Sequence, residues 1–289
     1  MKTISFFSEK GGVGKSSFSI LYASWLHYRH GIKVGLADFN ARILHYRSEE
    51  VRKREALMAK DPAIQPFNQD GAWPIVGPTY LDLDEISKGG SQIPHAVWFE
   101  NEFRKGKLKG CDVILCDFPG SLTGKEFINI AGMGLLSYVV VPTEKDPMTL
   151  ASTFKIHSIL QRQNHSVFIN KAQLGLRNLR SQYLKFAEEL VKKGLPMLPD
   201  MVTYSERMMS IDKIDNIRST FGFPDFDEPE YGKSKDLGIG NLFIDVTREL
   251  QRCPDIRNTT RSDLSFVDSL TKVQDSRQFK GSSYPRYEI

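Results

Sequence analysis

Short apolar runs that stop at a polar or glycine-rich break recur along the chain, and helical apolar spacing fills the intervals between them. The first run, Lys2 to Phe7, ends in a glycine cluster. From Ser16 onward Phe18, Leu21, Tyr22, Trp25 and Leu26 fall on one helical face, so a strand, a loop and a helix follow in that order. Val34 to Ala37 and Val113 to Cys116 predict two more buried strands, each running directly into an aspartate. Tyr138 to Val141, closed by Pro142, and Val167 to Ile169, closed by Asn170, predict two others. Between Asn40 and Lys109 the pattern is less regular. It offers a charged helical stretch at Ser48 to Lys60, a candidate strand near Trp73 to Val76 and a helix near Ala96 to Lys105. A final helix is predicted over Ile239 to Gln251.

Short apolar strands alternating with helices predict an α/β fold, a mainly parallel twisted sheet flanked by helices on both faces. Sheets of this kind gather ligand groups at the carboxyl ends of their strands, which places Ser8, Asp38, Asp117, Pro142 and Asn170 on one edge. Residues 1–252 read as a single domain with an elaboration at about 41–109. Residues 253–289 turn to Arg, Ser, Asp and Thr with few apolar positions, a polar tail expected to be either disordered or a docked arm.

Composition narrows the classes without choosing among them. With 39 Lys+Arg against 35 Asp+Glu the formal net charge is +4, too small an excess over 289 residues to identify a polyanionic partner. No apolar run approaches the roughly 18 residues that cross a bilayer, so no membrane span is expected. Cys111, Cys116 and Cys253 are odd in number and form no CxxC pair, which suits a reducing, cytoplasmic setting. Neither they nor the six histidines show zinc or iron–sulfur spacing.

The candidate chemistry sits between the first strand and the first helix, in Ser8-Glu9-Lys10-Gly11-Gly12-Val13-Gly14-Lys15-Ser16-Ser17. A loop free of side-chain bulk lets successive backbone N–H groups wrap a triphosphate, and the helix dipole adds positive potential. Gly11, Gly12 and Gly14 remove that bulk. Lys15 would neutralise the β- and γ-phosphates and the Ser16 hydroxyl would ligate Mg²⁺. The ordinary P-loop has glycine where this chain has Glu9, whereas the variant K-G-G-x-G-K-[ST] fits at every position.

On these residues the chain resembles the ParA/MinD family of deviant Walker A P-loop ATPases, which partition DNA or position cell-division machinery. The resemblance implies a P-loop NTPase fold, ATP/ADP and Mg²⁺ as cofactors, and a homodimer with ATP sandwiched between subunits. Lys10 matches the family's extra lysine, which reaches the partner's phosphates. Val113 through Ser121 resembles the Walker B strand and switch II, with Asp117 orienting Mg²⁺ through water and Gly120 in place of a second proline. Switch I departs from the family's D-x-D-P-Q: Asp38 is kept, but the second aspartate is Asn40. An amide hydrogen-bonds water but does not take its proton. Two readings follow, a slow ATPase and a nucleotide-dependent scaffold with negligible turnover.

Further along, Asn170 matches a residue that hydrogen-bonds adenine, although an Asn ending a strand is also a common turn former. Pro199 matches a family proline near the base. Softer cues, Ser19 through Tyr28, Asp117 through Ser121 and Asn170-Lys171, are most like the ParA-type proteins of conjugative transposons, of the TraA-like conjugal transfer kind. They imply a role in partitioning, conjugal transfer or mobile-element maintenance, with a stimulating partner protein. Non-specific duplex DNA is a further expected partner, through Arg177, Arg180, Lys185, Lys192 and Lys193 on a helix and through basic residues of the tail. Glu188 and Glu189 dilute that helix, so a merely solvated surface fits equally. A MinD-like membrane anchor at Phe266, Leu270 and Val273 is the weakest reading.

Overall fold

The computed structural model describes residues 1–39, 73–78, 94–119, 134–172, 177–202 and 239–256, with residues 43, 52, 55, 56, 59, 60, 127, 130 and 131 besides. The strands are β1 (Lys2–Phe6), β2 (Val34–Asp38), β3 (Ile75–Val76), β4 (Val113–Asp117), β5 (Tyr138–Thr143) and β6 (His165–Ile169). The helices are α1 (Lys15–Ser24), α2 (Pro94–Arg104), α3 (Pro147–Ile159), α4 (Arg177–Lys192) and α5 (Ile239–Arg252). A π-helical turn, Trp25–Arg29, continues α1.

The six strands form one sheet in the order β3-β2-β4-β1-β5-β6, and every pairing is parallel. All carboxyl ends therefore share one edge. β1 lies between β4 and β5, where the chain switches from building one side of the sheet to building the other, and the glycine loop leaves the sheet there.

Strand side chains alternate between two cores, which explains why the runs are apolar throughout rather than alternating with polar residues. Ile4, Phe6, Leu36, Val113, Leu115, Val140 and Phe168 face a core shared with α1 and with Leu242, Phe243 and Leu250 of α5. Ala37, Ile114, Cys116, Val139, Val141, Val167 and Ile169 face the other, covered by Trp98 and Phe99 of α2, Ile156 of α3 and Leu190 of α4. Gly35 lies under the second layer. A Cβ there would meet Leu108 Cδ2 at 2.6 Å and Cys111 Sγ at 3.0 Å, so the close packing of the loop before β4 on this strand requires glycine.

Several predicted boundaries move. Asp38 and Asp117 are the last residues of their strands, paired in register, rather than the first residues of the loops. Phe7 falls outside β1, and β6 begins earlier than predicted, at His165. β5 runs through Pro142 to Thr143. Proline is tolerated there because Val140 is the last β5 residue that β1 reaches, so the missing N–H faces a side where β1 has already left the sheet. The candidate strand near Trp73 shortens to Ile75–Val76. Most of the predicted helix over Ser48 to Lys60 falls outside the described residues.

The tail begins as a docked segment. Asp255 pairs with the Met1 ammonium and with Lys2 Nζ, each at 2.8 Å, and the Ile256 N–H donates to the Met1 carbonyl at 3.3 Å. Residues 257–289, with Phe266, Leu270 and Val273, lie outside the described residues. None of the described helices is long and apolar enough to cross a membrane. All three cysteines are buried and unpaired by disulfide, as packing residues would be.

Candidate nucleotide-binding site

Gly12 (φ 74°) and Gly14 (φ 88°) are both left-handed, and Gly14 is the N-cap from which α1 starts. This backbone path is open to glycine and costly for other residues. Among the described residues, the N–H groups of Gly11, Gly12, Val13 and Gly14 find no acceptor within the protein. A Cβ on Gly11 or Gly12 would meet nothing within 4 Å, so the outer side of the loop is open. These features fit a polyanion cradle.

Lys15 opens α1 and is buried, its Nζ donating to the Lys10 carbonyl at 2.8 Å. Burial lowers its pKa from the usual lysine value, and the nearby Asp117 charge opposes that shift. A desolvated ammonium on a carbonyl gains by exchanging it for phosphate oxygens.

Ser16, one residue on, donates from Oγ to Asp117 Oδ2 at 2.8 Å. Ser19 donates to the other Asp117 oxygen at 3.4 Å. Asp117 is almost fully buried, and burial pushes its pKa up to about 7, with Asp38 raising it further and Ser16, Lys15 and Ser19 holding it down. Hydroxyl and carboxylate oxygens side by side are the donor set of Mg²⁺, whose charge would offset the cost of ionising Asp117 there. The residues present therefore fit a magnesium–nucleotide.

The aromatic residues that follow the two aspartates pack on each other. Phe39 and Phe118, each following its aspartate, have ring centroids 4.4 Å apart, and Phe7 and Phe127 stack beside them at 3.7 Å. Such pairs add roughly 0.5–1.5 kcal/mol each beyond area burial.

Lys10 turns toward α3. Its Nζ lies 2.8 Å from Asp146 Oδ2 and 2.7 Å from Thr149 Oγ1. Asp146 caps α3 through the N–H groups of Met148 and Thr149, and its pKa falls well below the ordinary carboxylate value, chiefly through Lys10. Glu9, where an ordinary P-loop has glycine, pairs with Lys155 of α3 at 2.9 Å. Nothing in the glycine pattern signalled α3 as the partner of both residues.

Asn170 is buried at the end of β6, and its Nδ2 donates to the Val13 carbonyl at 3.0 Å. Ser17 is half-buried in the first turn of α1, and Pro199 lies in a bend just after Leu198, whose N–H joins Val167. Asn40, Gly120 and Ser121 lie outside the described residues. Lys185 and Lys192 are exposed on α4, as are Glu188 and Glu189, and Lys193 is exposed in the turn that follows it.

No protein-family model matches the chain. No curated protein matches it by sequence. Solved structures do. A protein assigned as a plasmid partition protein of Borrelia burgdorferi B31, bound to AMPPNP, superposes with a TM-score of 0.55 at 18% identity, over 87% of this chain and 98% of that one. MinD of Aquifex aeolicus gives 0.53 at 15% identity, over 87% and 98%. The MinC:MinD complex of the same organism gives 0.52 at 16% identity, over 90% and 98%. The chain has the α/β fold of plasmid-partition and MinD-type P-loop ATPases.

Proposed function

We propose that the protein is a ParA-type ATPase with a deviant Walker A loop, binding Mg-ATP and dimerising around it. The observation that carries this reading is the loop itself: left-handed Gly12 and Gly14 lead into Lys15 and Ser16, and Ser16 is already joined to Asp117. The AMPPNP bound to the Borrelia protein of like fold supports ATP and ADP as ligands.

In this reading, the loop amides from Gly11 to Ser17 and the Lys15 ammonium hold the phosphates. Ser16 and Asp117 would hold Mg²⁺, Asp117 through water. Bound Mg-ATP supplies the transferable phosphoryl group. Asp38, buried beside Asp117 at the end of β2, is a described carboxylate that could orient water. Lys10 serves the partner's nucleotide, and Asn170 and Pro199 border the base. The cellular role is DNA partitioning, conjugal transfer or mobile-element maintenance. Duplex DNA bound through Lys185, Lys192 and Lys193 is one partner, and a stimulating protein another, for which the MinC:MinD complex is a precedent in a protein of like fold.

Asn40 favours a second reading, a nucleotide-set scaffold with negligible hydrolysis. Phosphate release from Mg-ATP, with and without duplex DNA and with Lys15→Ala as blank, separates the two. Release above the blank, raised by DNA and raised further in Asn40→Asp, supports the cycling ATPase. Binding without release in the wild type, with release gained in Asn40→Asp, supports the scaffold.

A further inference from the structure

Lys171 is the sole non-glycine residue with positive φ (54°) among the described residues. A lysine held in the left-handed region has the surrounding structure to thank for it. The flanking backbone is pinned on both sides: the Asn170 N–H donates to Thr143 at 2.7 Å and the Ala172 N–H to Val202 at 2.9 Å. The turn sends the Lys171 side chain back over the glycine loop. There Nζ donates to the Gly12 carbonyl at 2.9 Å and lies 2.8 Å from Glu144 Oε1, just beyond β5. That Glu144 oxygen is buried with no aligned hydrogen-bond donor, so the contact is an ion pair that fixes the ammonium by charge.

Two consecutive loop carbonyls are thus held from the β6 side, Gly12 by Lys171 and Val13 by Asn170. A trans peptide is planar, with the C=O of one residue antiparallel to the N–H of the next. Drawing the Gly12 and Val13 carbonyls toward β6 therefore turns the Val13 and Gly14 N–H groups the opposite way, and these are among the loop amides with no acceptor in the protein.

We propose that Asn170 and Lys171 form a brace that aims the amides of the phosphate loop, with Lys171 a positioning residue for the nucleotide, held in place by Glu144. The proposal rests on the reading of this loop as a nucleotide site.

The test is Mg-ATP affinity by titration calorimetry for wild type, Lys171→Met, Lys171→Arg, Glu144→Gln and Lys15→Ala, alongside unfolding midpoints without nucleotide. Lys171→Met keeps the aliphatic stem and loses the charged donor. It weakens binding about tenfold, the loss expected for one charge-assisted hydrogen bond. Its midpoint stays close to wild type, Lys171→Arg restores most of the affinity, and Glu144→Gln shows a smaller loss of the same sign. Unchanged affinity in Lys171→Met, or a loss that tracks a lowered midpoint and is not rescued by arginine, overturns the brace while leaving the loop assignment intact. A wild type that does not bind, or Lys15→Ala binding equally well, overturns the nucleotide reading and the brace with it.

Discussion

The Lys10 ammonium lies 2.8 Å from the carboxylate of Asp146, a residue 136 positions away that caps α3. The lysine proposed to cross to a partner's phosphates is held within its own subunit by a charged N-cap. Dimerisation then competes with this ion pair. Asparagine caps helices about as well as aspartate, so Asp146→Asn keeps α3 and releases the charge. The variant is expected to form ATP-dependent dimers at lower protein concentration than wild type in analytical ultracentrifugation. Lys10→Ala is expected to bind ATP and remain monomeric. Identical sedimentation of all three with ATP would remove Lys10 from the dimer.

Gly14 and Gly11 make a contrast within one loop. Alanine at Gly14 meets a φ of 88° and places Cβ 3.2 Å from the Phe18 ring. The left-handed backbone alone costs about 1–2 kcal/mol, so Gly14→Ala should lower the chemical unfolding free energy by at least that amount. At Gly11 the same Cβ meets nothing. Gly11→Ala should stay within about 0.5 kcal/mol of wild type. Equal losses in the two variants would contradict the loop geometry.

Asp117 makes stability depend on pH. Burial raises its pKa from 3.8 to about 7, so the folded protein binds this proton more tightly than the unfolded chain does. The group's contribution is complete below pH 3.8, falls as pH rises toward 7 and is flat above. Asp117→Asn removes the loss. Without nucleotide the variant should be more stable than wild type at pH 8, by an amount on the order of a few kcal/mol. At pH 4 the advantage should largely vanish. Urea unfolding at both pH values measures it, and an equal difference at the two would remove buried Asp117 as the source.

Sequence periodicity revealed the strands because both sheet faces are buried: an apolar run such as Val113 to Cys116 has no polar face to interrupt it. The same run stopping at Asp117 marked the site edge, and three glycines within four residues marked the loop. Partners distant in sequence left no such trace. Nothing local to Glu144 and Asp146 in the sequence reports that they meet Lys171 and Lys10. Asn170 was legible as a strand-end residue, but its bond to the Val13 carbonyl depends on how β6 lies beside the loop. Pro142 read as a strand stop because tolerance of proline depends on where the neighbouring strand ends, which is a property of the sheet.

Whether the loop from Lys10 to Ser16 binds Mg-nucleotide through Lys15 is decided by titration calorimetry of wild type and Lys15→Ala with Mg-ATP. Saturable one-to-one binding by the wild type, abolished in Lys15→Ala while the variant keeps its fold by circular dichroism, is the predicted result. Equal affinity in the two proteins, or no binding by folded wild type, would contradict it.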